Sequence, residues 1–187
     1  MLENFIQLDG NILLWIQEYV RNDVLTPVFK FITHLGDSGM IWIVLSLLLL
    51  ISRKTRKVGL ASLLALLFSL LVNNGILKNL VARTRPYDVV NGLQLLIERQ
   101  TDFSFPSGHT GSSFAAAVVM FHALPRKYGV PALVLAFLIA LSRLYVGVHY
   151  PTDVIFAACS GTVLGILAYR VTDVFWDRVV LSRKVKS

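Results

Sequence analysis

The feature that most restricts this chain is a succession of long apolar runs divided by short basic turns. Apolar residues dominate positions 40–51, 58–80, 109–124, 130–146 and 151–174, and basic turns fill 53–57 and 125–127. A hydrocarbon core about 30 Å thick takes roughly 20 helical residues to cross. The runs predict an all-α fold, a polytopic membrane helix bundle with about five to six transmembrane helices. The run 40–51 is short for a span, so it is expected to begin before Gly39 or to lie among tilted neighbours. Charged residues make up 16% of the chain, against about 25% in soluble domains. The net charge of +7 is gathered in clusters between the runs, as topology signals are. It does not form the single basic face that nucleic acid would need, so no nucleic-acid partner is expected.

With 187 residues the chain is expected to be a single membrane-embedded domain, residues 1–187. Residues 1–36 read as interfacial N-terminal helices, 37–176 as the helix bundle and 177–187 as a basic cytoplasmic tail. In the first 22 residues Phe5, Leu8, Ile12, Trp15, Ile16 and Tyr19 fall near one helical face. That pattern suits an amphipathic helix lying in the membrane interface. Glu3, Asp9 and Glu18 interrupt this region, and no basic start precedes an apolar core, so no cleavable signal peptide is expected. Trp15, Trp42 and Trp176 are candidate interface anchors. His34 and His122 read as structural. The lone Cys159 lies in an apolar run and reads as a small packing residue. Gly161 and Gly165 are spaced for close contact with a neighbouring helix of the bundle.

Ten of the 18 lysines and arginines lie in the turns 53–57 and 126–127 and in the tail from Arg178. Five spans would place these segments on one face, which the positive-inside rule makes cytoplasmic. The ends that carry Lys78, Arg85, His109, Arg143, His149 and Asp153 then share the opposite, extracytoplasmic face of a multi-pass cell-membrane protein. Ionisable groups beside hydrocarbon are costly and point to function. Lys78 and Arg85 are seven apart and would share a face of a continuous helix with Asn74. Arg83 falls off that face, toward solvent or lipid headgroups. Ser107, Gly108 and His109 follow Pro106 at a helix start, where free N–H groups and the dipole favour an anion. Arg143 can fork onto phosphate. His149 and Asp153 are four apart, so one helical turn can bring carboxylate to imidazole. Arg143 and His149 are six apart and diverge on a straight helix, so the helix should unwind near Gly147. Taken singly, these pieces also read as snorkelling cations, a capping serine with an interfacial histidine, and a structural ion pair. The loop 87–105 carries Leu93, Leu95, Leu96 and Ile97, and either dips toward lipid or packs as a lid on the helix ends.

Together, Lys78-(six residues)-Arg85-Pro86, Pro106-Ser107-Gly108-His109 and Ser142-Arg143-(five residues)-His149-(three residues)-Asp153 resemble the three-part signature of the type 2 phosphatidic acid phosphatase family. Vanadium haloperoxidases share that signature, but the resemblance is to the compact bacterial undecaprenyl-diphosphate phosphatases. It implies that Lys78, Arg85, Ser107, Gly108 and Arg143 hold a phosphate. It implies His149 as the nucleophile that forms a phosphohistidine, Asp153 as its orienting carboxylate and His109 as the acid for the leaving group. No metal and no other cofactor is implied. The expected partners are membrane lipids and a lipid phosphate or diphosphate substrate, undecaprenyl diphosphate first. Phosphatidylglycerophosphate or phosphatidate are alternatives within the same chemistry, and an inactive lipid-binding or transport protein is a remote one.

Overall fold

The computed structural model describes the backbone of residues 2–185 and the side chains of residues 7–178. Lys186 and Ser187, the end of the expected tail, lie outside the described residues. The described residues are helical and contain no strand. Helix α1 (Leu2–Trp15) widens into a π segment (Ile16–Val20), and α2 spans Leu25–Leu35. Helix α3 (Met40–Ile51) is followed by α4 (Arg56–Ser69), which runs on through a second π segment (Leu70–Leu77) into the short α5 (Lys78–Val81). The short α6 (Pro86–Val89) precedes the long loop, and α7 (Gly108–Ala123), α8 (Arg126–Tyr145) and α9 (Pro151–Val185) complete the chain. The basic residues of 177–185 thus continue α9 as helix.

Three segments are long and apolar enough to cross a membrane, namely Arg56–Val89, Arg126–Tyr145 and Pro151–Arg178. The pair Leu25–Leu35 and Asp37–Ile51, bent by 48°, passes the same test only when taken together as one broken span. The short run 40–51 is therefore extended toward the N-terminus by α2, across a turn at 36–39. Helix α7 has 16 residues, fewer than the roughly 20 that a span takes, which leaves three to four candidate spans against the expected five to six.

Helix α7 lies at the centre, against α4, α8 and α9. Its Ala116, Ala117 and Met120 pack with Trp42, Ala136 and Ile139. Its Ala115 and Val119 pack with Val58, Ala61, Ala65 and Ala168. Small side chains let helices approach closely where no hydrophobic effect drives them together. Gly161 and Gly165 of α9 lie directly on the backbone of Gly111 and Ala115 of α7, the neighbour contact their spacing suggested. Trp42 is not an interface anchor: it is fully buried, and its Nε1 donates to Ser113 Oγ at 2.8 Å. Cys159 is not a packing residue either, because it lies exposed on α9.

Helix α1 turns Asp9 and Leu13 inward. Leu8, Trp15 and Tyr19 are exposed, whereas Asp9 and Leu13 are buried. Leu95, Leu96 and Ile97 of the long loop pack with Tyr145, Val146, Val148 and Phe29. The loop is therefore a lid seated on helix ends. At the other end of the bundle Lys57 pairs with Asp173 and, at 3.7 Å, with Asp177. That contact sets the basic turn 53–57 beside the C-terminal half of α9.

Candidate active site

Lys78 from α5, Arg85 from the link before α6, Gly108 and His109 from the start of α7, Arg143 from the last turn of α8 and His149 from the α8–α9 link line one cavity of about 570 Å³. Ser107 and Asp153 are fully buried and stand behind its wall.

Local backbone explains the convergence. Helix α8 stops at Tyr145, and Gly147 takes the left-handed conformation with φ +81°. This break lets Arg143 and His149 reach the same cavity, as their spacing required. Lys78 and Arg85 meet differently from the expectation. The helix does not continue between them: Ala82 turns left-handed at φ 47° and Arg85 is extended before Pro86. Proline disfavours helix at the residue before it. Both cations instead converge on Asp102 of the long loop, which bonds Lys78 Nζ and Arg85 Nη2. Partial burial works to raise the Asp102 carboxyl, but Lys78 and Arg85 outweigh it and hold it at about 2. An anion thus sits where a phosphate would meet two cations.

His149 is buried, and its Nε2 accepts from Arg85 Nη1 at 3.2 Å. A guanidinium can only donate, so Nε2 is unprotonated and the neutral ring carries its proton on Nδ1. That nitrogen lies 3.6 Å from Asp153 Oδ2. Burial holds the imidazole well below its ordinary range; Asp153 opposes this, while Arg85 and Arg143 add to it. A neutral imidazole with a free lone pair on Nε2 is the nucleophilic form.

Asp153 is held from several sides. Its Oδ2 accepts from Ser104 Oγ at 2.5 Å and from Tyr150 N at 3.0 Å. Its Oδ1 accepts from Arg83 Nη1 at 2.6 Å. Arg83 therefore does not face solvent or headgroups. It also donates to Thr152 Oγ1 at 2.7 Å and to Asp9 Oδ2 at 2.8 Å, and it stacks on Tyr150 with the guanidinium 3.7 Å from the ring centre. Asp9 additionally accepts from the Thr152 hydroxyl.

The remaining candidates have individual settings. Ser107 caps α7: its Oγ accepts from Thr110 N at 3.4 Å and from Thr110 Oγ1 at 3.0 Å, which leaves its own proton to donate. Buried Arg143 donates from Nη1 to Thr33 Oγ1 at 2.5 Å. His109 Nε2 bonds Asp37 Oδ1 at 2.9 Å. Among the described residues, no group of three or more His, Cys, Asp and Glu side chains is disposed to hold a metal ion. Asp9, Asp37, Arg83, Ser104 and Asp102 escaped the sequence reading. Each meets at least one partner across a gap in sequence that no helical period registers.

The cavity collects cations, an unprotonated histidine nitrogen and a second histidine, and the comparisons agree with that chemistry. The PAP2 superfamily model matches residues 58–177, which contain all eight candidate residues. The undecaprenyl-diphosphatase of Sulfolobus acidocaldarius is 33% identical over 82% of this chain and 73% of its own length. The undecaprenyl-diphosphatase BcrC of Bacillus subtilis is 31% identical over 86% of this chain and 83% of its own. The crystal structure of LpxE from Aquifex aeolicus superposes with a TM-score of 0.74 at 28% identity, covering 89% of this chain and 93% of that one. On its signature, its fold and these relatives, the chain belongs to the PAP2 superfamily and is a membrane lipid phosphatase.

Proposed function

We propose that this lipid phosphatase converts undecaprenyl diphosphate to undecaprenyl phosphate at the outer face of the cell membrane, through a phosphohistidine on His149. The observation that carries this reading is the double character of the cavity. Its lining includes Lys78, Arg85, Arg143, His109 and His149, and also Ile43 of α3 and Leu63, Leu66, Leu67 and Leu70 of α4. Leu63 and Lys78 are separated by roughly 20 Å of helical rise. A lipid with a phosphate head could lay its chain along α3 and α4 and its head among the cations. The named activity of the two relatives supports the choice of lipid. Helix α1, with Leu8, Trp15 and Tyr19 outward, lies in the outer interface in this reading.

In the first step the terminal phosphate displaces the Asp102 carboxylate from Lys78 and Arg85. His149 Nε2 attacks phosphorus as the bond to the bridging oxygen breaks, and His109 gives that oxygen a proton. Lys78, Arg85, Arg143, the Gly108 amide and the Ser107 hydroxyl stabilise the transferring group, whose charge is what such sites must neutralise. Asp153 steadies Nδ1–H as the ring becomes positive. In the second step water attacks phosphorus, the N–P bond breaks and His109 accepts the water proton.

The test is phosphate release by purified protein in detergent with EDTA present, across undecaprenyl diphosphate, phosphatidate and phosphatidylglycerophosphate. Release should be fastest from the prenyl diphosphate, and His149→Ala should abolish it while the protein stays folded. Faster release from either glycerolipid would overturn the substrate, and near-wild-type release by His149→Ala would overturn the nucleophile.

A further inference from the structure

The turn between α2 and α3 places one carboxylate between two histidines. Asp37 Oδ1 bonds His109 Nε2 at 2.9 Å, and Asp37 Oδ2 bonds His34 Nδ1 at 2.8 Å. The turn is shaped for this contact. Ser38 and Gly39 are both left-handed, with φ 51° and 67°. For a non-glycine residue such as Ser38 that conformation is strained, and strain of this kind is a pointer to function. Gly36 lets the turn close on the ring, because a Cβ there would stand 2.6 Å from His109 Cδ2.

His109 has a particular need for a carboxylate. It shares the cavity wall with Lys78 and Arg143, and neighbouring cations disfavour an imidazolium. Asp102, the carboxylate that lines that wall, is engaged by Lys78 and Arg85. Yet an acid for the leaving group must hold its proton when the bond breaks. Asp37 takes Nε2–H, which leaves Nδ1 as the ring nitrogen for the cavity. The arrangement parallels Asp153 and His149, with the ring nitrogens exchanged.

We propose that Asp37 is the positioning residue of the acid. It orients His109 and opposes the burial and the neighbouring cations that draw its proton away, and His34 holds the second carboxylate oxygen in place. His34 is thereby part of the site's support rather than a bystander. This inference rests on His109 acting as the acid in the phosphatase reading.

The experiment compares wild type with Asp37→Asn on two probes, dodecyl phosphate and p-nitrophenyl phosphate. The first must expel an alkoxide, and the second a phenolate that needs no proton. The variant should lose at least about 10-fold in kcat on dodecyl phosphate, the lower edge of what an acid contributes. On p-nitrophenyl phosphate the loss should stay under about 3-fold, with KM for both probes within that factor. The alkaline limb of its pH–rate profile should move to lower pH by about one unit, because His109 loses its proton sooner without the carboxylate. Asp37→Glu should restore part of the rate. Equal losses on the two probes, or an unmoved limb, would overturn the proposal. Imidazole NMR of His109 in detergent gives a reading that does not depend on turnover. An unshifted His109 titration in Asp37→Asn counts against Asp37 alone. A wild type that releases no phosphate from either probe counts against the phosphatase reading.

Discussion

Arg83 serves two carboxylates at once, Asp153 of the site and Asp9 of the first helix. It is absent from the cavity lining, so its effect on chemistry must pass through Asp153 and then His149. Arg83→Met should therefore lower kcat by roughly 10-fold or more and leave KM within about 3-fold, the signature of an interaction expressed in the transition state. Asp9 and Asp153 would be left in the interior without their shared cation. Breaking a buried pair in this way costs roughly 3–5 kcal/mol, and thermal unfolding in detergent would register it. A melting temperature and kcat both near wild type would show that Ser104 and Tyr150 N hold Asp153 alone. Residue types and spacing identified the cavity residues, because phosphate chemistry needs forked cations and a paired imidazole. They did not identify the supporting roles of Arg83, Asp9, Asp37 or Asp102, since a supporting charge has no local pattern to betray it.

At the scale of elements, the legible parts were those with local causes. Apolar runs announced the long helices and Ser107 the cap of α7. The π segment Leu70–Leu77 and the left-handed Ala82 were not legible. Both answer to packing, which overrides local preference, and a straight-helix projection of Lys78 onto Arg85 failed for that reason. Gly147 was legible because two side chains six apart had to face one point. It also offers a clean test. A Cβ there would lie 3.0 Å from Arg21 Nη2 and 3.2 Å from Gln94 O, at a φ of +81°. Gly147→Ala should cost about 1–2 kcal/mol from the backbone alone. It should lower phosphate release further by turning His149 away from Arg143. Unchanged thermal stability together with unchanged release would mean that the link tolerates another conformation.

Taken as a whole, the molecule is polarised. The basic turn 53–57 and the C-terminal half of α9 share one end, and the cavity lies at the other. Under the positive-inside rule, the proposed outer-face action predicts an extracytoplasmic cavity end. A cysteine replacing exposed Glu98, in a Cys159→Ser background, should react with an impermeant maleimide in intact cells. Reaction only after lysis would reverse the orientation. The inward-facing Asp9 of α1 has a different kind of consequence, one for heredity. Asp9 is absent from the cavity lining, yet it pairs with the arginine that anchors the Asp153 carboxylate. Neither charge can be lost alone without stranding the other in the interior. Asp9 and Arg83 should therefore be inherited as a unit: lineages that replace one are expected to have replaced both, although 74 positions separate them along the chain.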